Sequence, residues 1–245
     1  MAHRTFHFAI LVVSLLLAPS LHAQLPQLPQ IPGLGKGTNS AASLDNTQIA
    51  SGLKEALAVG TQNAVKQVAK PGAYLENKAI KISLPSSLRP VETGLRAAGQ
   101  GSKVDDFIAS MNHAAEAAAP EAAPIFEDAV REMTIDDARK LLNGGDTSIT
   151  DYFKSKTSAH LASAFRPHVE KTMRENGVTQ KYDSLVAQAP KLPFMSSAST
   201  DINTYVVNKA LDGLFFVLGE QEKKIRTNPA ARSTDLLKKV FGSQQ

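Results

Sequence analysis

The stretch YVVNKALDGLFFVLGE, Tyr205 to Glu220, limits the possible folds more than any other part of the chain. Wound as a helix at about 100° per residue, its apolar side chains point in every direction. Such a helix has to be surrounded, so residues near 202–226 are expected to form a buried central helix with others packed around it. Lys209 and Asp212 interrupt this pattern. At their spacing they can face one another on the helix surface and neutralise each other where an isolated charge would be costly. One reading is a structural pair, or a lysine that snorkels to the surface. The other is a polar pocket inside the bundle, joining Lys209 and Asp212 to Asn112, Glu116, Tyr152 and Thr157, each of which flanks an apolar stripe.

The remaining segments supply the surrounding helices. Ile49, Leu53, Leu57, Gly60, Ala64 and Val68 recur at steps of three and four and lie on one helix face, which Lys70-Pro71-Gly72 ends. Leu88, Val91, Leu95 and Ala98 repeat the pattern before Gly99. Ser102 with Asp105 has the spacing of a helix start, and Val104, Phe107, Ile108, Met111 and Ala115 form the stripe that follows, up to Pro120 and Pro124. Ile125, Phe126, Ala129, Val130 and Met133 make another face, and Thr134 with Asp137 opens a short helix stopped by Asn143-Gly144-Gly145. Ser148 with Asp151 begins a helix carrying Ile149, Tyr152, Phe153, Leu161 and Phe165, which Pro167 is expected to kink or break at Arg166. A short helix around Tyr182, Leu185 and Val186 is expected, as is a last one with Leu236, Leu237, Val240 and Phe241, capped by Ser233 or Thr234. Only residues 79–84 alternate with period two, and with no partner strand they can form at most a minimal β arm. The expected class is all-α: a single bundle-like domain of about eight helices over residues 45–242.

The chain opens MAHRTFHFAILVVSLLLAPSLHAQ. Arg4 supplies a positive start, Phe6 to Leu17 an apolar run, and Leu21-His22-Ala23 a small-residue cleavage signal, so residues 1–23 read as a secretory signal peptide. The run of roughly 12 residues falls short of the roughly 20 needed to cross a bilayer, and no transmembrane segment is expected after cleavage. Residues 24–44, rich in Pro, Gly and Gln, read as a flexible tether. The expected location is periplasmic or secreted. There is no cysteine, which removes both a lipid attachment point and any disulfide, so the core alone must hold the fold. A formal net charge of +4 without any long basic run gives no nucleic-acid footprint.

The phrases GLKEAL, YLENKAIKISLP, GLRAAGQGSKVDDF, PEAAPIFEDAVREMTIDDARKLLNGGDTSITDYF and KALDGLFFVLGEQEKKIRTNPAARSTDLLKKVFG carry a family resemblance. In collinear order from Leu53 to Gly242, the chain resembles the exported bacterial proteins of the domain of unknown function numbered 4197. That resemblance implies a mostly helical exported protein with no established activity, and no catalytic residues to carry over.

Catalytic patterns are weak. Gly144-Gly145-Asp146-Thr147-Ser148 lacks the spacing and the preceding strand of a phosphate cradle and reads as a helix stop followed by a helix start. Ser51-Gly52-Leu53-Lys54 matches S-x-x-K, but neither S-D-N nor K-T-G accompanies it. His113 and Glu116 stand one turn apart, a spacing that metal sites use, yet His113 points away from the Phe107, Ile108 and Met111 stripe and reads as solvated. No metal or cofactor is implied. His160 projects to the face of Phe153 and Ala164, where a lone histidine is usually a hydrogen-bonded core residue. The expected function is a non-enzymatic binding or interaction module in the cell envelope, with a protein or small-molecule partner. The alternative is a hydrolase or lyase using a carboxylate and His160 in a bundle pocket.

Overall fold

Helix starts and stops divide the chain much as the pattern of apolar residues does. The computed structural model describes residues 46–175, 177, 180, 201–232 and 235–242. Signal peptide 1–23, tether 24–44, the helix near Tyr182 and the caps Ser233 and Thr234 lie outside the described residues. The helices are α1 (Asn46–Val68), α2 (Arg89–Ala97), α3 (Gly101–Ala118), α4 (Ala122–Glu132), α5 (Ile135–Leu142), α6 (Ser148–Glu175), α7 (Ile202–Thr227) and α8 (Asp235–Gly242). Among the described residues there is no β-strand, and the protein is all-α.

Local chemistry explains several boundaries. Thr134 and Asp137 form a reciprocal capping box at the start of α5, as their spacing predicts. Asp201 accepts from the Asn203 and Thr204 N–H groups and caps α7. Ser102 does not cap α3, which begins one residue earlier without a side-chain cap. Its expected partner Asp105 instead pairs with Arg96 of α2 at 2.7 Å.

Pro167 does not break α6, which continues to Glu175. Proline removes one backbone hydrogen bond, to the carbonyl of Ser163, and typically costs about 3 kcal/mol inside a helix. Here both Pro167 and Ser163 face solvent, where water can take the freed carbonyl, while Leu161, Phe165, Val169 and Met173 are fully buried along the opposite side. Burying four such side chains outweighs one lost bond.

Helices α6 and α7 pack side by side, with α3 against both, α1 against α7 and α4 against α6. Between them sits an aromatic cluster in which Phe126 lies edge-on to Phe153 at 5.2 Å and to Phe215 at 6.2 Å. Helix α7 is therefore central, but it is not surrounded on every side. Val206, Val207, Ala210, Leu211, Leu214, Phe215, Val217 and Leu218 are buried, whereas Asn208, Lys209, Asp212 and Phe216 remain exposed. One stripe of the expected all-round apolar helix thus opens to water, and the ion pair sits on it.

Residues 69–88 cross from α1 to α2 without regular helix until the 3-10 turn at Ser86–Leu88. Burial alternates here as along a strand: Ile80, Ile82 and Leu84 are buried, Lys81 and Ser83 exposed. The alternation begins in a turn, since the N–H groups of Ile80 and Lys81 both donate to the Asn77 carbonyl. No second strand pairs with this arm among the described residues. Asn112 of α3 takes that role, its Oδ1 accepting from the Ile82 N–H at 2.8 Å and its Nδ2 donating to the Ile82 carbonyl at 2.9 Å.

Candidate functional site

The exposed stripe of α7 and the arm face one another across a groove of about 550 Å³. Tyr205, Lys209, Asp212 and Phe216, at i, i+4, i+7 and i+11, form one wall because those intervals fall on one side of a helix. Ala79, Ile80, Lys81, Ser83, Leu84 and Ser86 form the other, with Arg89 at the start of α2 closing it. Ile82 is missing from this lining because it is fully buried and both its backbone groups are turned to Asn112.

The electrostatics of the groove are lopsided. Lys81, Arg89 and Lys209 are cationic, and Asp212 is the one carboxylate in the lining. Lys209 Nζ lies 3.0 Å from Asp212 Oδ2, with side chains 46 % and 58 % exposed. Asp212, through this hydrogen bond and its charge, raises the Lys209 pKa and keeps the ammonium charged. Tyr205 donates its hydroxyl to the Ser83 carbonyl at 2.9 Å, tying the two walls together. Partial burial pushes its phenol up, while Lys209 and Arg89 pull in the opposite direction. Phe216 is 46 % exposed, a large ring left in water beside these charges.

The six residues expected in one pocket, and His160 of the alternative reading, fall in three places. Lys209 and Asp212 line the groove just described. Asn112 and Glu116 are buried on α3, where they hold the chain between α1 and α2: Asn112 grips Ile82, and Glu116 Oε1 accepts from the Tyr74 N–H at 3.0 Å. Tyr152, Thr157 and His160 line a separate cleft of about 330 Å³ with Asp128, Glu132, Asp137 and Lys156. Thr157 is buried and spends its hydroxyl on the Phe153 carbonyl at 2.6 Å. Burial first, then Asp137 and Glu132, push the Tyr152 phenol up. His160 is exposed rather than a core histidine, since the buried side of α6 runs through Phe153, Thr157 and Leu161 instead.

His113 is exposed, and among the described residues no cluster of three or more His, Asp or Glu could hold a metal ion. Lys54 reaches the Arg131 carbonyl at 3.4 Å, which places it at the end of α4.

Sequence reasoning passed over the buried cluster at Glu222. Its carboxylate accepts from the Ile149 and Thr150 N–H groups at 3.0 and 2.8 Å and from the Thr150 hydroxyl at 2.8 Å, so it caps α6 from another helix. Arg226 pairs with Glu222 at 2.9 Å and donates to the Leu141 and Leu142 carbonyls and to Ser148 Oγ. Glu222 and Arg226 stand at i, i+4 among the charges of EQEKKIR, where nothing local distinguishes a buried pair from a solvated one. The groove did leave a signal: Lys209 and Asp212, three apart, interrupt an otherwise apolar helix.

A family model described as a protein of unknown function (DUF4197) matches residues 43–242, and the chain belongs to that family. No curated protein and no solved structure matches it.

Proposed function

Starting from membership of this family, we propose that the protein is an exported, non-enzymatic binding module whose partner lies in the groove between the arm and α7. The observation that carries the reading is Phe216, 46 % exposed in a concave surface with cations on both walls. Ligand sites commonly measure about 300–1,000 Å³ and combine apolar surface with a few placed polar groups. A half-exposed phenylalanine leaves on the order of 1 kcal/mol of burial unrealised, which a partner can recover. A photo-crosslinking residue at position 216, compared with one at Ile135, tests this in cells, because Ile135 is a similarly exposed apolar residue on α5. Discrete adducts at 216 and none at 135 are expected. Equal adducts at both, or none at either, would overturn the reading.

Export rests on Arg4, the Phe6 to Leu17 run and Leu21-His22-Ala23. The native product is expected to begin at Gln24, in a periplasmic or secreted fraction. Mass spectrometry of its amino-terminal peptide decides the matter, and an intact Met1 in the cytoplasm refutes export.

A second reading, a hydrolase or lyase, draws support from the other cleft, where His160 shares a lining with Asp128, Glu132 and Asp137. It requires some hydrolytic or eliminating activity that disappears in both His160→Ala and Glu132→Gln. A broad substrate screen in which neither substitution changes any rate removes it.

A further inference from the structure

The arm is a short extended segment with one edge paired by a side chain and the other open. Successive residues of an extended chain direct their N–H and C=O groups to opposite edges. The Ile82 groups turn inward and are both taken by the Asn112 side chain. The Lys81 N–H is given to the Asn77 carbonyl, and the Lys81 carbonyl and both Ser83 groups are left for the other edge, on the α7 side, where the Tyr205 hydroxyl already reaches the Ser83 carbonyl. The Ser83 N–H and the Lys81 carbonyl make no hydrogen bond among the described residues, and both residues are exposed and line the groove. An incoming extended chain would find there a backbone donor and a backbone acceptor, Phe216 for an apolar side chain, and Lys81 and Arg89 for carboxylates. Asp212 does not reverse the field, because Lys209 offsets it at 3.0 Å.

We infer that this groove binds an acidic peptide in extended conformation, added as a strand along the outer edge of Lys81–Ser83. Main-chain hydrogen bonds supply affinity in this mode, and the pockets for alternate side chains supply selectivity. Lys81 and Arg89, the lining cations that Asp212 does not neutralise, select acidic chains. A concave wall with an open strand edge fits a single extended chain better than a flat anionic membrane. This inference rests on the groove being the binding surface proposed above.

The test uses the purified, isotopically labelled protein and a blocked synthetic heptapeptide alternating glutamate with valine around a central phenylalanine. Saturable amide shifts at Lys81 to Leu84 and at Phe216, with slowed exchange of the Ser83 N–H, are expected. Lys81→Gln combined with Arg89→Gln should weaken binding about tenfold or more while leaving the helical circular dichroism unchanged. N-methylation of the peptide at residues of one parity should abolish binding, and at the other parity should not, because only one edge of the added strand pairs. The same peptide with lysine for glutamate should not bind, nor should phosphatidylglycerol vesicles shift the Ser83 amide. Equal binding of acidic and basic peptides, tolerance of methylation in both registers, or shifts with vesicles but not peptide would each overturn the inference. Crosslinks at position 216 with no peptide-induced shift would sink the peptide class and leave the groove; absence of both would sink the groove as well.

Discussion

The ring of Tyr74 occupies the space where a side chain on Gly213 would begin: a Cβ built there lies 2.5 Å from Tyr74 Cε1 and 3.2 Å from Ile80 Cβ. One turn earlier on the same helix, the Ala210 carbonyl accepts the Tyr74 hydroxyl at 2.7 Å. The tyrosine is fully buried and held at both ends, its N–H by Glu116 and its hydroxyl by α7. These contacts fix the chain between α1 and α2 against α7, and with it the wall of the groove.

Gly213→Ala should therefore destabilise the protein. In an unobstructed helix the change would stabilise by up to about 1 kcal/mol. Here the added methyl meets a rigid buried ring and overpacks it, with a net cost of about 1–3 kcal/mol. Denaturant unfolding measures the sign, and a gain in stability would mean that the ring moves aside.

Alkaline pH should selectively weaken the same contact. Burial chiefly, and the Glu116 carboxylate in addition, push the Tyr74 phenol far above its ordinary value of 10.0. The unfolded chain releases this proton near pH 10.0 while the folded chain retains it. The contribution to stability is thus complete below that pH and is lost as pH rises towards the folded value. Tyr74→Phe should unfold with a shallower pH dependence than wild type above about pH 10. Parallel curves for the two proteins would refute this.

Asn112→Leu removes the side chain that stands in for a neighbouring strand. The Ile82 N–H and carbonyl lose their partners at 2.8 and 2.9 Å beside a fully buried side chain. Each unsatisfied buried group costs about 1–3 kcal/mol. Amide exchange at Ile82 should accelerate more than exchange in the middle of α6, and uniform acceleration would point to general loosening instead.

Glu222→Ala should be among the more damaging single changes, because it strands a charge. Arg226, 10 % exposed in its side chain, would lose its carboxylate, and the Ile149 and Thr150 N–H groups would lose their cap. A cost of about 3–5 kcal/mol is expected, read from the denaturant midpoint. Asp212→Ala should cost at most about 1 kcal/mol, since water already screens that exposed pair. A larger loss at Asp212 than at Glu222 would reverse the assignment of which pair is structural.

Sequence by itself determined the helices. Periodicity at Ile49 to Val68, the Thr134 and Asp137 pair and the glycine stops depend on neighbours within a turn or two, and short-range sterics and hydrogen bonds settle them. The alternation at residues 80–84 was legible for the same reason. Tertiary structure alone decided what those elements meet. Wheel geometry fixes the angle at which Lys209 leaves α7, but whether that angle points to α1, α3, α6 or water depends on how many neighbours the helix has, and one sector was left to the arm. Glu222 and Lys209 each have an opposite charge within a turn and look alike in sequence. Their fates differ because the amino terminus of α6 comes to rest on Glu222, separated from it by 72 residues of chain at Thr150, whereas nothing among the described residues covers Lys209. Contacts at that separation depend on the packing of whole helices, which no local pattern encodes.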